Sequence, residues 1–153
     1  MRSPVQLGGV GIQRTVDIEQ EQRQRHTGHP RRGARSDTRD LSCLTARRVS
    51  VRRARIASEP VTDYIRYEHA GTVVNLGAGE QVRWLPRKQS SDLALPGNDF
   101  WLLDGRLVRF GHLSGDGAYP GETFTDDPTA AALCDAAFEA VWQRATPHEK
   151  YEV

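Results

Sequence analysis

Asp99-Phe100-Trp101-Leu102-Leu103-Asp104-Gly105-Arg106-Leu107-Val108-Arg109-Phe110 is the stretch on which the fold turns. An Asp-Gly dipeptide between two apolar runs carries the chemistry of a type I′ turn, which needs positive φ at both central positions. A two-residue loop at Asp104-Gly105 pairs Leu103 with Arg106 and Trp101 with Val108. That register places Trp101, Leu103, Val108 and Phe110 on one face, and Phe100, Leu102 and Leu107 on the other. Both faces are largely apolar, so the hairpin is expected in the interior of a sheet, with Trp101 buried. In that setting Trp101→Ala is expected to cost about 3–5 kcal/mol.

Working outward, Val49–Ile56 alternates apolar and polar residues at several positions and reads as a half-buried strand. Ser58 is placed to cap a helix with Pro60 in its first turn, running to about Ala70 and ended by Gly71. Gln81–Leu85 reads as a short strand stopped by Pro86, and Ser90–Leu95 as one helical turn. A weaker strand is expected near Glu122-Thr123-Phe124. The last element is the best-marked helix: Asp127 as N-cap, Pro128 at the first helical position, and an apolar stripe of Ala130, Leu133, Ala137 and Val141. Cys134, Phe138 and Trp142 lie beside that stripe, and Thr146-Pro147 closes the helix. Strands mixed with helices around a hairpin predict an α+β fold, or a mixed-sheet α/β layer, with a small mixed sheet and a C-terminal amphipathic helix.

The two ends of the chain differ in composition. All 11 aromatic residues of the 153 lie between Tyr64 and Tyr151, and residues 1–40 hold only eight apolar ones. Residues 1–55 carry 13 Arg and five acids, whereas residues 56–153 carry eight basic residues and 15 acids. The net charge of +1 therefore hides a basic head on an acidic body. Polar runs such as Gln20–Arg25 and Arg31–Arg35 offer no repeating apolar face, so residues 1–40 are expected to be disordered, with a single domain over 41–153. A basic arm of this kind supports only salt-sensitive, sequence-blind contact with phosphates, and the acidic body would repel them. Sequence-specific nucleic-acid binding by this chain alone is not expected. No apolar run approaches the roughly 18 residues of a membrane span, and the N-terminus lacks the apolar core of a secretion signal, which predicts a cytoplasmic domain.

Motifs that carry chemistry are sparse. Gly8-Gly9-Val10-Gly11 follows no strand, and Gly77-Ala78-Gly79 has no Lys-Ser/Thr behind it, so neither reads as a phosphate loop. His26 and His29 lack a third ligand, and His112 with Ser114 does not form a nucleophile elbow. Asp126-Asp127 is accounted for by helix capping, while Cys43 and Cys134 read as small apolar fillers. No catalytic, metal or cofactor site is expected, and the chain is read as a non-enzyme. One polar set stands out. Glu80, Arg83, Trp84 and Arg87, joined after a short connection by Asp99 and Trp101, could form an Arg–carboxylate fork beside indoles that lines a ligand or partner site. The competing reading is a structural ion pair at the end of the sheet, with the indoles in the core.

Two strings, Arg53–Tyr64 and Ala78–Arg87, followed by Leu95-Pro96-Gly97-Asn98-Asp99-Phe100-Trp101-Leu102-Leu103-Asp104 and by Val141-Trp142 … Pro147-His148-Glu149-Lys150-Tyr151, resemble one known family. It is the actinobacterial, Streptomyces-type domain-of-unknown-function family DUF6879. The resemblance covers roughly residues 45–153; the head, without Phe, Tyr or Trp, matches none of the usual start and implies an atypical or truncated N-terminal half. Family members are often encoded beside helix-turn-helix regulators. The resemblance therefore implies a regulatory or protein-interaction role tied to such a regulator, with a small-ligand sensor as the alternative. It brings no catalytic residues.

Overall fold

The computed structural model describes residues 12–18 along their backbone, and residues 49–112, 114–115 and 118–153 with their side chains. Among them the chain runs β1 (Ile12–Ile18), β2 (Ser50–Ala57), α1 (Asp63–Gly77), β3 (Gln81–Pro86), β4 (Asp99–Leu103), β5 (Leu107–His112), β6 (Gly121–Thr125), α2 (Pro128–Arg144) and β7 (Thr146–Pro147). Single 3₁₀ turns follow β3 at Arg87–Ser90 and β7 at His148–Lys150. The strands join one mixed sheet in the order β6-β5-β4-β1-β2-β3-β7. Strands β1, β2 and β3 are mutually parallel, and the β4–β5–β6 meander and β7 are antiparallel to their neighbours. The fold is α+β, with the hairpin in the sheet interior and an amphipathic helix near the C-terminus.

One assignment made from composition is overturned. Residues 12–18, placed in the disordered head, form β1 between β2 and β4. Val16 is the register partner of both Ala54 and Phe100, and Thr15 of both Arg53 and Trp101. The reason is physical: a strand needs only alternation, and Ile12, Val16 and Ile18 supply it without an aromatic. Its two partners lie far along the chain, so local reading does not reveal the pairing. Residues 1–11 and 19–48, which include His26, His29, Cys43 and the expected start of the domain at Leu41, lie outside the described residues.

The hairpin also slips by one residue. The turn has the expected chemistry: Asp104 and Gly105 take φ of 51° and 67°, and the Arg106 N–H donates to the Leu103 carbonyl at 3.0 Å. Arg106, however, is an extra residue, and Leu103 pairs with Leu107 while Trp101 pairs with Arg109. A one-residue slip exchanges the faces of a strand. Phe100, Leu102 and Val108 consequently become fully buried together, and Trp101 moves to the opposite, half-exposed face. The expectation of a buried Trp101 paired with Val108 is therefore replaced.

Each face of the sheet receives one helix. Asp127 caps α2 by accepting from the Thr129 N–H at 2.8 Å, with Pro128 at the first position, where its missing N–H is harmless. The buried stripe is Ala131, Cys134, Ala137, Phe138, Val141 and Trp142; Ala137 and Val141 are buried as expected, whereas Ala131 replaces Ala130 and Leu133 is 45% exposed. That stripe packs on Ala54, Ile56, Leu85, Phe100, Leu102 and Val108 to form the larger core. Burial raises the Cys134 thiol to about 11, so it behaves as an apolar filler. On the other face, α1 covers Ala57, Val82 and Trp84 through Ile65, Tyr64 and Leu76.

Helix α1 starts later and ends later than the sequence suggests. Thr62, not Ser58, caps it, accepting from the Ile65 N–H at 3.4 Å. Gly71 stays inside the helix and Gly77 ends it. A single interior glycine costs only about 1 kcal/mol, which packing on the sheet offsets. The Ser90–Leu95 helical turn is likewise displaced, to Arg87–Ser90.

Candidate functional site

The alternation of β2 decides which charges meet. Arg52 points to the α2 side, where it pairs with Glu139 at 2.6 Å and lies over the rings of Phe138 and Trp142. Arg53 and Arg55, on either side of buried Ala54, take different partners on the α1 side. Arg53 Nε donates to Glu80 Oε1 at 2.5 Å, and Asn75 Nδ2 on α1 donates to Glu80 Oε2 at 2.7 Å. The Arg53 guanidinium also reaches across β1 to lie 5.0 Å from the centre of the Trp101 ring. Arg55 pairs with Glu68 of α1 at 2.7 Å and sits 5.1 Å over Trp84. Glu80 is 2% exposed, so its charge exists there only because Arg53 and Asn75 meet it.

Below Arg55 lies an aromatic and imidazole cluster. Trp84 is fully buried, stacks nearly parallel to Tyr151 (centroids 5.6 Å, 9°), and donates its indole N–H to His148 Nδ1 at 3.2 Å. His148 in turn stacks on His69 of α1, with centroids 4.1 Å apart and planes at 19°. Burial, then the neighbouring His69 charge, holds the His148 imidazole below its ordinary range.

The six residues singled out from sequence do not line one pocket. Glu80 and Trp101 are brought together by Arg53, and Trp84 lies on the same side of the sheet within the His148 cluster. Arg83 faces the α2 side: its guanidinium lies 4.5 Å over Trp142 and donates to the Trp142 carbonyl at 3.0 Å. Arg87, beyond the strand, donates to Ser58 Oγ at 2.9 Å. Asp99 begins β4 opposite Gly111 and is half-buried. Neighbours in sequence separate here because successive strand residues point to opposite faces.

Sequence reading missed Arg53, Arg55, Glu68, His69, His148 and Tyr151. The signal for the two arginines was their spacing of two in a strand, which puts them on one face. Nothing local announces that α1 would bring Glu68 and His69 to them.

The slipped register leaves a second surface on the α1 side. The rows Leu103–Leu107 and Trp101–Arg109–Phe124 run across β4, β5 and β6, and Phe124 is 57% exposed. Glu122 accepts from Arg109 and, at 3.0 Å, from the Tyr119 hydroxyl at the edge of this surface. With Trp101 half-exposed, Trp101→Ala is now expected to cost about 1–2 kcal/mol rather than a core value. Urea denaturation measures it, and a loss above about 3 kcal/mol would place the indole in the core after all.

A mixed seven-stranded sheet with a helix on each face, paired charges beneath α1 and an open aromatic strip defines an α+β domain whose polar groups mostly serve its own packing. The family profile of DUF6879, a domain of unknown function, matches residues 15–153, and the chain belongs to that family. The match begins within β1, well before the limit near residue 45 expected from the resemblance. No curated protein matches the chain. No helix among the described residues is long and apolar enough to cross a membrane.

Proposed function

We propose that the chain is a non-enzymatic protein-interaction module, acting in the cytoplasm of an actinobacterium, whose partner is a helix-turn-helix transcriptional regulator. The observation that carries this reading is the surface on which exposed Phe124 lies in one row with Arg109 and half-buried Trp101, beside half-buried Leu103 and Leu107, with Tyr119 and Glu122 at its edge. Aromatic and Arg side chains around an apolar centre are the composition of protein interfaces. The partner's class is the one the family resemblance implies, and the arginine-rich stretch between β1 and β2 would add salt-sensitive, sequence-blind contact with DNA. Ligand sensing has less support, because Arg83 faces away from Glu80, Trp84 and Trp101, and the charged members of the set are engaged internally.

The test uses the full chain and the purified regulator encoded beside its gene, with light scattering for stoichiometry and calorimetry for affinity. A defined complex is expected, weakened at least tenfold (about 1.4 kcal/mol) by Phe124→Asp, a substitution at an exposed position. An absence of binding, or full affinity in that variant, would overturn the partner or the surface respectively. In a mobility-shift assay at physiological salt the chain alone is expected to show no sequence preference.

A further inference from the structure

The segment after α2 meets the sheet and α1 through β7, His148 and Tyr151, and two of these contacts converge on the His148 imidazole. Helix α2 itself is anchored at its end: Arg144 forks onto Asp92 at 2.6 and 2.8 Å and donates to the Gln89 carbonyl at 3.0 Å. Beyond buried Ala145, strand β7 pairs with β3 over only two residues, Arg83 with Pro147 and Trp84 with Thr146. Beyond β7, contacts among the described residues include the Trp84–His148 hydrogen bond, the Trp84–Tyr151 stack, the His69–His148 stack and a tilted His69–Tyr151 ring contact.

An indole N–H only donates, so His148 Nδ1 must keep its lone pair to accept from Trp84. A proton on Nδ1 breaks that bond. The same proton places positive charge against a second imidazole stacked at 4.1 Å, with the Arg55 cation close by. The groups that face His148 are His69 and the Arg55–Glu68 pair from α1 and β2, Trp84 from β3, and Glu149 and Tyr151 from its own segment. Glu149 alone favours the charged ring; Arg55 and His69 oppose it, and Glu68 is already committed to Arg55. His148 is 6% exposed and its Nδ1 is engaged as an acceptor, so its ring is not placed to carry a second proton.

We infer that His148, stacked on His69, is an acid-released latch, which holds residues 146–151 over Trp84 while its Nδ1 accepts from the indole and frees them when that nitrogen takes up a proton. Release would uncover Trp84 and the outer edge of β3, while α2 stays docked through Arg144. The sign follows from linkage. A histidine held below its ordinary value in the folded state binds its proton more readily once released, so the latch is fully closed above about pH 6.5 and weakens as pH falls below it.

Amide and indole hydrogen exchange of the full chain between pH 8 and pH 5, corrected for intrinsic rates, reads the latch directly. Below about pH 6.5, protection of residues 146–151 and of the Trp84 indole is expected to fall roughly tenfold per pH unit for one proton taken up. Protection of the Phe138 region should stay level. His148→Asn, which keeps an acceptor and cannot titrate, should abolish the pH dependence. Should that variant fail to fold, His69→Phe serves instead: it keeps a ring in the stack, takes away the imidazole that opposes the charged form of His148 and should make the dependence shallower. Level protection across the range overturns the latch. So does a loss shared equally by the Phe138 region, or an undiminished slope in the variants.

Discussion

Trp84→Ala is expected to lower the unfolding free energy by about 3–5 kcal/mol, the range for truncating a large buried aromatic. Trp84 is fully buried and touches three separate things: the Tyr151 ring, the His148 imidazole through its N–H, and the Arg55 guanidinium above it. No neighbouring side chain can collapse into that space without giving up one of these. Trp84→Phe separates the contributions, since it keeps an aromatic ring but deletes the donor to His148 Nδ1. It is expected to cost about 1–2 kcal/mol, plus the packing lost with the smaller ring. Urea denaturation of both variants checks the pair of values. A cost for Trp84→Ala below about 1 kcal/mol, the level of a surface change, would mean that the cluster beneath α1 contributes nothing to stability.

Glu80→Ala should cost about as much, about 3–5 kcal/mol, for an electrostatic reason. The Glu80 carboxylate is buried and accepts from Arg53 and Asn75, one oxygen each. Removing it deletes the buried acceptor that Arg53 Nε and Asn75 Nδ2 both donate to, and the desolvation of those donors is then less well offset. The diagnostic variant is the double substitution Arg53→Met with Glu80→Met. Replacing both partners by apolar side chains removes the buried donor together with its acceptor, so the double variant should be more stable than Glu80→Ala. A double variant that loses the full sum of the two single changes would show that the residues act independently. Because Arg53 also covers Trp101, fluorescence from that indole should change in the double variant as well.

Legibility in the sequence followed the range of the interactions. Helix α2 was read almost to the residue because its cap, its Pro128 and its apolar spacing all lie within one segment. Strands β2 and β3 and the turn at Asp104-Gly105 were read for the same reason. The face of Trp101 was not, because a single extra residue at Arg106 reverses it, and two nearly apolar faces left the local pattern without a vote. Strand β1 was missed because its stability comes from β2 and β4, partners distant in sequence, and not from its own composition. Of the candidate site, Glu80 and Trp101 do meet around one arginine, while Arg83 and Arg87 belong to other surroundings.

By itself the sequence determined the element types of β2 to β6 and of both helices, the α+β class and the turn at the hairpin, since caps, turn dipeptides and periodicity are properties of neighbouring residues. Only the tertiary structure decided that Ile12–Ile18 completes the middle of the sheet, and that Arg53 reaches Glu80 and Trp101. It alone set His69 against His148. Those pairings join residues on strands and helices far apart in the chain. Alternation along a strand says that a side chain leaves one face or the other, but the packing of α1 and the order of the strands decide what it meets there.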